Sequence, residues 1–181
     1  MTSEQVDITV RRAHPRDVET IQEILYATWL RTYPNEEYAV TVADIEHRFK
    51  NRHSAETTER RRKMIQQAVH HEQIYLVAEA AGQVIGVCFA YSGGIEHEVR
   101  VLYVHPDHQG KGAGKLLMAD ALKQLDGKKP VVLTVAPYNK QAIGFYEHLG
   151  FVCTGKITLD ERYRMKSGSI IPDLEMRREP D

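Results

Sequence analysis

A chain of 181 residues suits one domain with one sizeable core. Its 42% hydrophobic and 27% charged residues are ordinary for a globular protein. A formal net charge of -1 excludes the basic balance of a protein built mainly to grip nucleic acid, and no apolar run reaches membrane-spanning length. Two cysteines, Cys88 and Cys153, stand far apart in no metal-ligand spacing, which fits a reducing compartment and two buried thiols better than a disulfide framework. The start, "MTSEQVDITVRRAHP", lacks the apolar stretch of a signal peptide. The expectation is a single cytoplasmic domain over 1–181, with no nucleic-acid or membrane partner.

Along the chain, Val6, Ile8 and Val10 alternate with polar residues and predict a half-buried strand. Pro15 and Asp17 then open a helix with Val18, Ile21, Ile24, Leu25 and Thr28 on one face, ending before Pro34. Residues 41–72 read as a very polar helical stretch that begins at a Thr41 cap; acids interleave with its "ERRRK" run, as on a solvated face. Residues 74–92 predict two strands joined at "AAGQ", an antiparallel hairpin, and 98–104 a further strand. An amphipathic helix over 114–125 precedes a continuous apolar strand over 130–136, of the kind buried on both faces. A short helix runs from an Asn139 N-cap to a Gly150 stop, and two strands at 151–159 and 171–179 close the chain. The fold class is α/β with a mixed sheet of about seven strands.

Between the strand at 98–104 and the helix at 114 lies "VHPDHQGKGAG", with glycines at 110, 112 and 114. A helix start leaves backbone N–H groups without partners and carries partial positive charge, and glycine lets an anion approach that main chain closely. The loop therefore suits a phosphate or pyrophosphate, with Lys111 and Lys115 beside it. A P-loop would need a hydroxyl after its lysine, where Leu116 stands. A dinucleotide fingerprint starting at Gly110 would need glycine at Lys115 and an acid at the end of the next strand, and both are missing. Gln109, Gly112 and Gly114 instead fit Gln/Arg-x-x-Gly-x-Gly/Ala directly after a Val-x-Pro strand exit.

On these residues the chain resembles the GCN5-related N-acetyltransferase (GNAT) superfamily. "LYVHPDHQGKGAGKLLM" is similar to its acetyl-CoA pyrophosphate motif, and "VAPYNKQAIGFYEHLGFVCTG" to the motif that follows it one strand later. The resemblance implies a sheet splayed between its fourth and fifth strands, with a coenzyme-binding core at about 98–152 and the polar segment 41–72 shaping the acceptor side. It implies that N–H groups across Gln109, Gly110, Lys111, Gly112, Ala113, Gly114 and Lys115 hold the pyrophosphate of acetyl-CoA. Main chain at Leu102, Tyr103 and Val104 would meet the pantetheine arm. Asn139 would touch the cofactor as well as, or instead of, capping its helix.

The departing thiolate needs a proton, which a phenol keeps at neutral pH. The family frequently uses a tyrosine at the position of Tyr146 for this, against the plain alternative that Tyr146 packs beside Phe145. An acceptor amine must lose a proton before attack. Strict alternation from Val104 places Glu98 on one face with Arg100 and Leu102, making Glu98 the candidate base and Glu96 its backup; a solvated strand-end carboxylate is the alternative. Trp29, Tyr33, Glu36 and Glu37 are acceptor-site candidates, since aromatics beside carboxylates suit a cationic amine, while Trp29 could equally be core. His105-x-x-His108 and His70-His71 lack further ligands, so no metal is expected. The expected activity is direct acetyl transfer from acetyl-CoA to a small-molecule or peptide amine, by a chain that can pair as a homodimer. The rival is a non-catalytic acyl-CoA-binding or sensing domain of the same fold.

Overall fold

The computed structural model describes residues 7–68 and 73–180. Seven strands form one sheet in the order β1-β2-β3-β4-β5-β7-β6. They are β1 (Ile8–Arg12), β2 (Gln73–Ala80), β3 (Gln83–Tyr91), β4 (His97–Val104), β5 (Val131–Val135), β6 (Val152–Thr158) and β7 (Asp173–Arg178). Five α-helices accompany them: α1 (Val18–Thr32), α2 (Val42–Phe49), α3 (Ala55–Ala68), α4 (Ala113–Gln124) and α5 (Lys140–Glu147). Antiparallel hairpin β2–β3 turns through Ala81 and Gly82, both at positive φ, as a two-residue turn between right-twisted strands requires. The expected polar helix over 41–72 is two helices. Thr41 caps α2 with a capping box, and the chain turns at residues 50–54 before Ser54 Oγ accepts the Thr57 N–H and starts α3. Residues 69–72, with His70 and His71, lie outside the described residues.

Helices cover both faces of the sheet. Leu117, Met118 and Ala121 of α4, with Tyr146 of α5 and Phe151, pack on Leu76, Cys88, Val99, Leu133 and Met176. On the opposite face Val18, Ile21, Ile24 and Leu25 of α1 and Ile65 of α3 pack on Tyr75, Val77, Val87 and Phe89. Gly86 permits the first layer, because a Cβ there would lie 3.1 Å from Leu117 and 3.2 Å from the Tyr103 carbonyl oxygen. A third cluster, Val40, Ile45 and Met165 with Trp29, Tyr33 and Ile171, ties the β6–β7 connection to α2 and the loop before it. The buried Asp44 carboxylate accepts from the Thr41 hydroxyl at 2.7 Å and from the Ser167 N–H at 2.8 Å. Burial alone would raise that carboxyl, but these donors outweigh it and hold it at about 2.

Two details differ from strict alternation and uniform burial. In the β3–β4 ladder Phe89 pairs with Val101 while Ala90 pairs with Val99, so Arg100 is a bulge residue. The bulge flips the parity: Val99, Leu102 and Val104 point toward α4, whereas Val101 and Tyr103 point toward α1. Glu98, one residue before Val99, therefore shares Tyr103's face and not that of Leu102 and Val104. β5 is buried except at Thr134, which stands exposed on the α1 face. Cys88 is buried as expected, but Cys153 is exposed, because β6 is an edge strand with every residue open to solvent.

β4 and β5 run parallel and pair only over His97–Val99 with Val131–Leu133. Beyond Val99 they part. β4 stays bonded to β3 as far as Val104, and β5 to β7 as far as Val135, so the two strands diverge with no ladder bonds between their facing edges. Unpaired backbone in an interior is costly, and an extended ligand carrying amides is what such a fork suits. Among the described residues no helix is long and apolar enough to cross a membrane.

Candidate active site

The open end of the fork leads into the glycine loop. Gly110 and Gly112 adopt φ of +76° and +91°, a region that favours glycine, and a Cβ on either would meet nothing within 4 Å. Gly112 is the N-cap of α4, and the first N–H bonded inside the helix is that of Leu116, to the Gly112 carbonyl. The N–H groups of Ala113, Gly114 and Lys115 are thus left for an outside acceptor. Gly114 is different: a Cβ there would make ordinary contacts with Phe145 and Val104, so protein packing alone does not demand glycine. Gln109 braces the loop, donating from Nε2 to the Val104 carbonyl at 3.0 Å, and Thr28 donates to the same oxygen at 3.4 Å. Lys111 Nζ bonds back to the Asp107 carbonyl at 3.2 Å, and Lys115 is exposed.

α5 brings Tyr146 to the α4 side of the fork. Its ring stands edge-on to Phe145 at 5.3 Å and to Phe151 at 5.9 Å between centroids, so it packs with Phe145 as its plain reading holds. Burial raises the phenol's pKa above its ordinary value of about 10. Nearby Tyr103 and Cys88 act in the same direction. Asn139 caps α5, its side-chain oxygen accepting the Ala142 N–H at 3.1 Å, which leaves its amide nitrogen uncommitted.

On the α1 face the fork opens onto a cluster of aromatic rings. The Tyr33 and Tyr103 hydroxyls are 2.9 Å apart, and Tyr138 donates its hydroxyl to the Tyr33 carbonyl at 3.0 Å. Trp29 lies 4.4 Å from the Tyr33 ring, and Tyr38 lies 5.1 Å from that of Tyr138. Burial pushes the phenols of Tyr33 and Tyr103 upward, so both stay protonated donors at neutral pH. Arg48 of α2 sets its guanidinium over Trp29 at 4.8 Å and over Tyr163 at 5.1 Å. Asp173, at the start of β7, is raised by burial, while the Thr134 hydroxyl favours its charged form.

Glu98 lies at the root of the fork, where it accepts from Arg100 Nε at 2.8 Å. With Glu96, Arg100, Val132, Thr134 and Glu175 it lines a cavity of about 300 Å³. Glu96 is bound to Arg177 at 2.8 Å. Of the acceptor-site candidates, Trp29 and Tyr33 enter the aromatic cluster, whereas Glu36 and Glu37 are exposed at the tip of the turn closed by Asn35 and Val40. His105 and His108 rings lie 5.9 Å apart, and the His105 Nδ1 accepts the Asp107 N–H as a turn cap. Among the described residues no group of three His, Cys, Asp or Glu could hold a metal ion. Sequence reasoning missed Arg48, Tyr138 and Asp173. Their signal was weak: a lone arginine in a polar helix, and a tyrosine and an aspartate each next to a proline at a strand end.

A family model described as the acetyltransferase (GNAT) family matches residues 20–151. Over 95 residues the chain is 33% identical to an acetyltransferase of Pectobacterium atrosepticum, covering 51% of this chain and 67% of that protein. Over 65 residues it is 37% identical to the L-amino acid N-acyltransferase MnaT of Escherichia coli, covering 35% and 36%. The curated relatives are matched over 26% to 67% of their length. The PaiA N-acetyltransferase of Thermoplasma acidophilum, solved in complex with coenzyme A, has the same fold: TM-score 0.72 and 24% identity over 96% of this chain and 99% of that one.

Proposed function

The chain belongs to the acetyltransferase (GNAT) family, and we propose that it is an acyl-CoA-dependent N-acetyltransferase that moves an acetyl group from acetyl-CoA to a primary amine by direct attack. One observation carries this reading: the β4–β5 fork runs without interruption into the positive-φ glycine loop at the start of α4, with Tyr146 on its flank. The free N–H groups of the loop take the pyrophosphate, and the unpaired main chain of the fork takes the amides of the pantetheine arm. That places the thioester deeper in the fork, between the phenol of Tyr146 and the acceptor-side rings.

In this scheme the acceptor ammonium gives a proton to Glu98 through water, and its nitrogen attacks the thioester carbonyl. A main-chain N–H of β4 stabilises the oxygen of the tetrahedral species. The carbon–sulfur bond then breaks, the sulfur takes the Tyr146 proton, and the phenolate is restored by the second proton that the new amide nitrogen sheds, while Glu98 releases the first to solvent. Direct attack is favoured by the state of the two thiols. Burial pushes Cys88 up to about 12, which suppresses its thiolate, and Cys153 sits on the far edge of the sheet.

The test is thiol release from acetyl-CoA over a broad amine panel, alongside thermal unfolding with coenzyme A. Turnover with any amine supports the reading. Stabilisation by coenzyme A without thiol release from any amine would make the chain a binding module. Absence of stabilisation at cellular coenzyme concentrations would remove both readings.

A further inference from the structure

Two opposite charges flank the acceptor-side tyrosines without pairing to each other or to any other ion among the described residues. Carboxylates elsewhere near the sheet are engaged: Asp17 by Arg11, Glu96 by Arg177, Glu98 by Arg100 and Glu175 by Lys156, each at 2.8 Å. Arg48 instead has aromatic rings beside it, Trp29 at 4.8 Å and Tyr163 at 5.1 Å. Asp173 has the Thr134 hydroxyl and no cation.

Their placement is set by three separate segments. Arg48 reaches the cluster from α2, and Tyr163 closes over it from the β6–β7 connection, which the Asp44–Ser167 bond fixes. Asp173 opens β7, antiparallel to β5, and so lies beside the C-terminal end of β5 at the mouth of the fork. Alternation with Leu174 and Met176, which face α4, turns Asp173 toward the α1 face, where Tyr103 also points. The Tyr103 phenol senses both groups, Asp173 disfavouring and Arg48 favouring its ionisation. The rings around Arg48 strip part of its hydration, which lowers its pKa from the usual value while leaving it charged. A partly dehydrated guanidinium and a half-buried carboxylate, held apart across hydroxyls, each lack a counter-ion that a ligand can supply.

We propose that the acceptor is a zwitterionic amine of the free amino-acid type, its carboxylate on the Arg48 guanidinium and its ammonium between Asp173 and the Tyr103 hydroxyl. This rests on the acetyl-transfer reading for its biological sense, but binding can be measured without turnover. Arg48 is then the residue that separates acids from plain amines, and Asp173 holds the nitrogen in either case.

The experiment uses the full chain saturated with coenzyme A. The common L-amino acids are screened by thermal shift, and the best binder is compared by calorimetry with its amide and its decarboxylated amine. The acid is expected to bind about 10- to 100-fold more tightly than either analogue, the range of one charge-assisted contact. Arg48→Gln should collapse that preference to near one, and Arg48→Lys should restore part of it. Asp173→Asn should weaken acid and amide alike and keep their ratio. Equal binding of acid and amide by the unaltered protein, binding of no amino acid at roughly 10 mM, or an Arg48→Gln variant that keeps the preference would each overturn the proposal. Acid-selective binding with no thiol release would uphold it while removing the transferase reading.

Discussion

The two sides of the β4–β5 fork are built from different materials. The side proposed for the coenzyme is main chain: two glycines at positive φ, the open start of α4 and the parting edges of two strands. The side proposed for the acceptor is side chains: Trp29, Tyr33, Arg48, Tyr103, Tyr138 and Asp173, drawn from α1 and its C-cap, α2, β4, the β5–α5 loop and β7. A main-chain site constrains a few consecutive letters tightly, because only glycine tolerates those dihedrals. A side-chain site scatters its constraints over the whole chain and can be rebuilt residue by residue on one scaffold.

The largest expected effect lies between the two sides. Tyr146→Phe should lower kcat about 100-fold or more at neutral pH, the range of lost general acid catalysis, while coenzyme A still stabilises the protein. The sign of the pH dependence follows from burial. The Tyr146 phenol is raised above 10, so its acid form persists and kcat should show no alkaline loss from this group below about pH 10. A kcat that falls between pH 8 and 9 and is flat in Tyr146→Phe would keep the acid role but contradict the raised phenol.

Next comes Gly112→Val on the coenzyme side. A branched residue at φ +91° costs about 1–2 kcal/mol, so KM for acetyl-CoA should rise roughly tenfold or more with KM for the amine little changed. An equal rise in both would mean that Gly112 serves the acceptor side as well. The smallest effect on turnover belongs to Asp44→Ala, which removes the tie between α2 and the β6–β7 connection. It should cost about 2 kcal/mol of stability, measured by denaturant unfolding, and raise KM for the acceptor only. Because the folded carboxyl lies near 2, below its unfolded value near 4, Asp44 contributes fully above about pH 4. That contribution fades as pH falls toward 2, and Asp44→Asn should flatten this part of the stability profile.

What could be read from the sequence divides along the same line. The seven strands, the turn at Ala81-Gly82, the caps at Thr41 and Asn139 and the glycine loop all follow from local rules, because periodicity, capping and positive φ act within a few residues. The break of 41–72 into two helices was hidden by uniformly helical and polar letters. The bulge at Arg100 was invisible, since nothing in "EVRVLYV" interrupts its alternation, and it moved Glu98 to the other face of the sheet. The exposure of Cys153 depended on β7 inserting between β5 and β6, a long-range pairing that leaves β6 at the edge. Arg48 and Asp173 are separated by more than half the chain and reach the same side of the sheet only through the packing of α2 and the pairing of β7 with β5. No local pattern announces such a pair.

The β4–β5 fork is proposed as the place where acetyl-CoA and an amine meet. The direct measurement is release of coenzyme A thiol from acetyl-CoA, matched by mass spectrometry of the acetylated amine, with Tyr146→Phe run beside the unaltered protein. Equimolar thiol and N-acetyl product are expected with at least one amine, and a kcat about 100-fold or more lower in the variant. Product formed at the same rate by Tyr146→Phe, or no product from any amine by a protein that binds acetyl-CoA, would contradict the proposal.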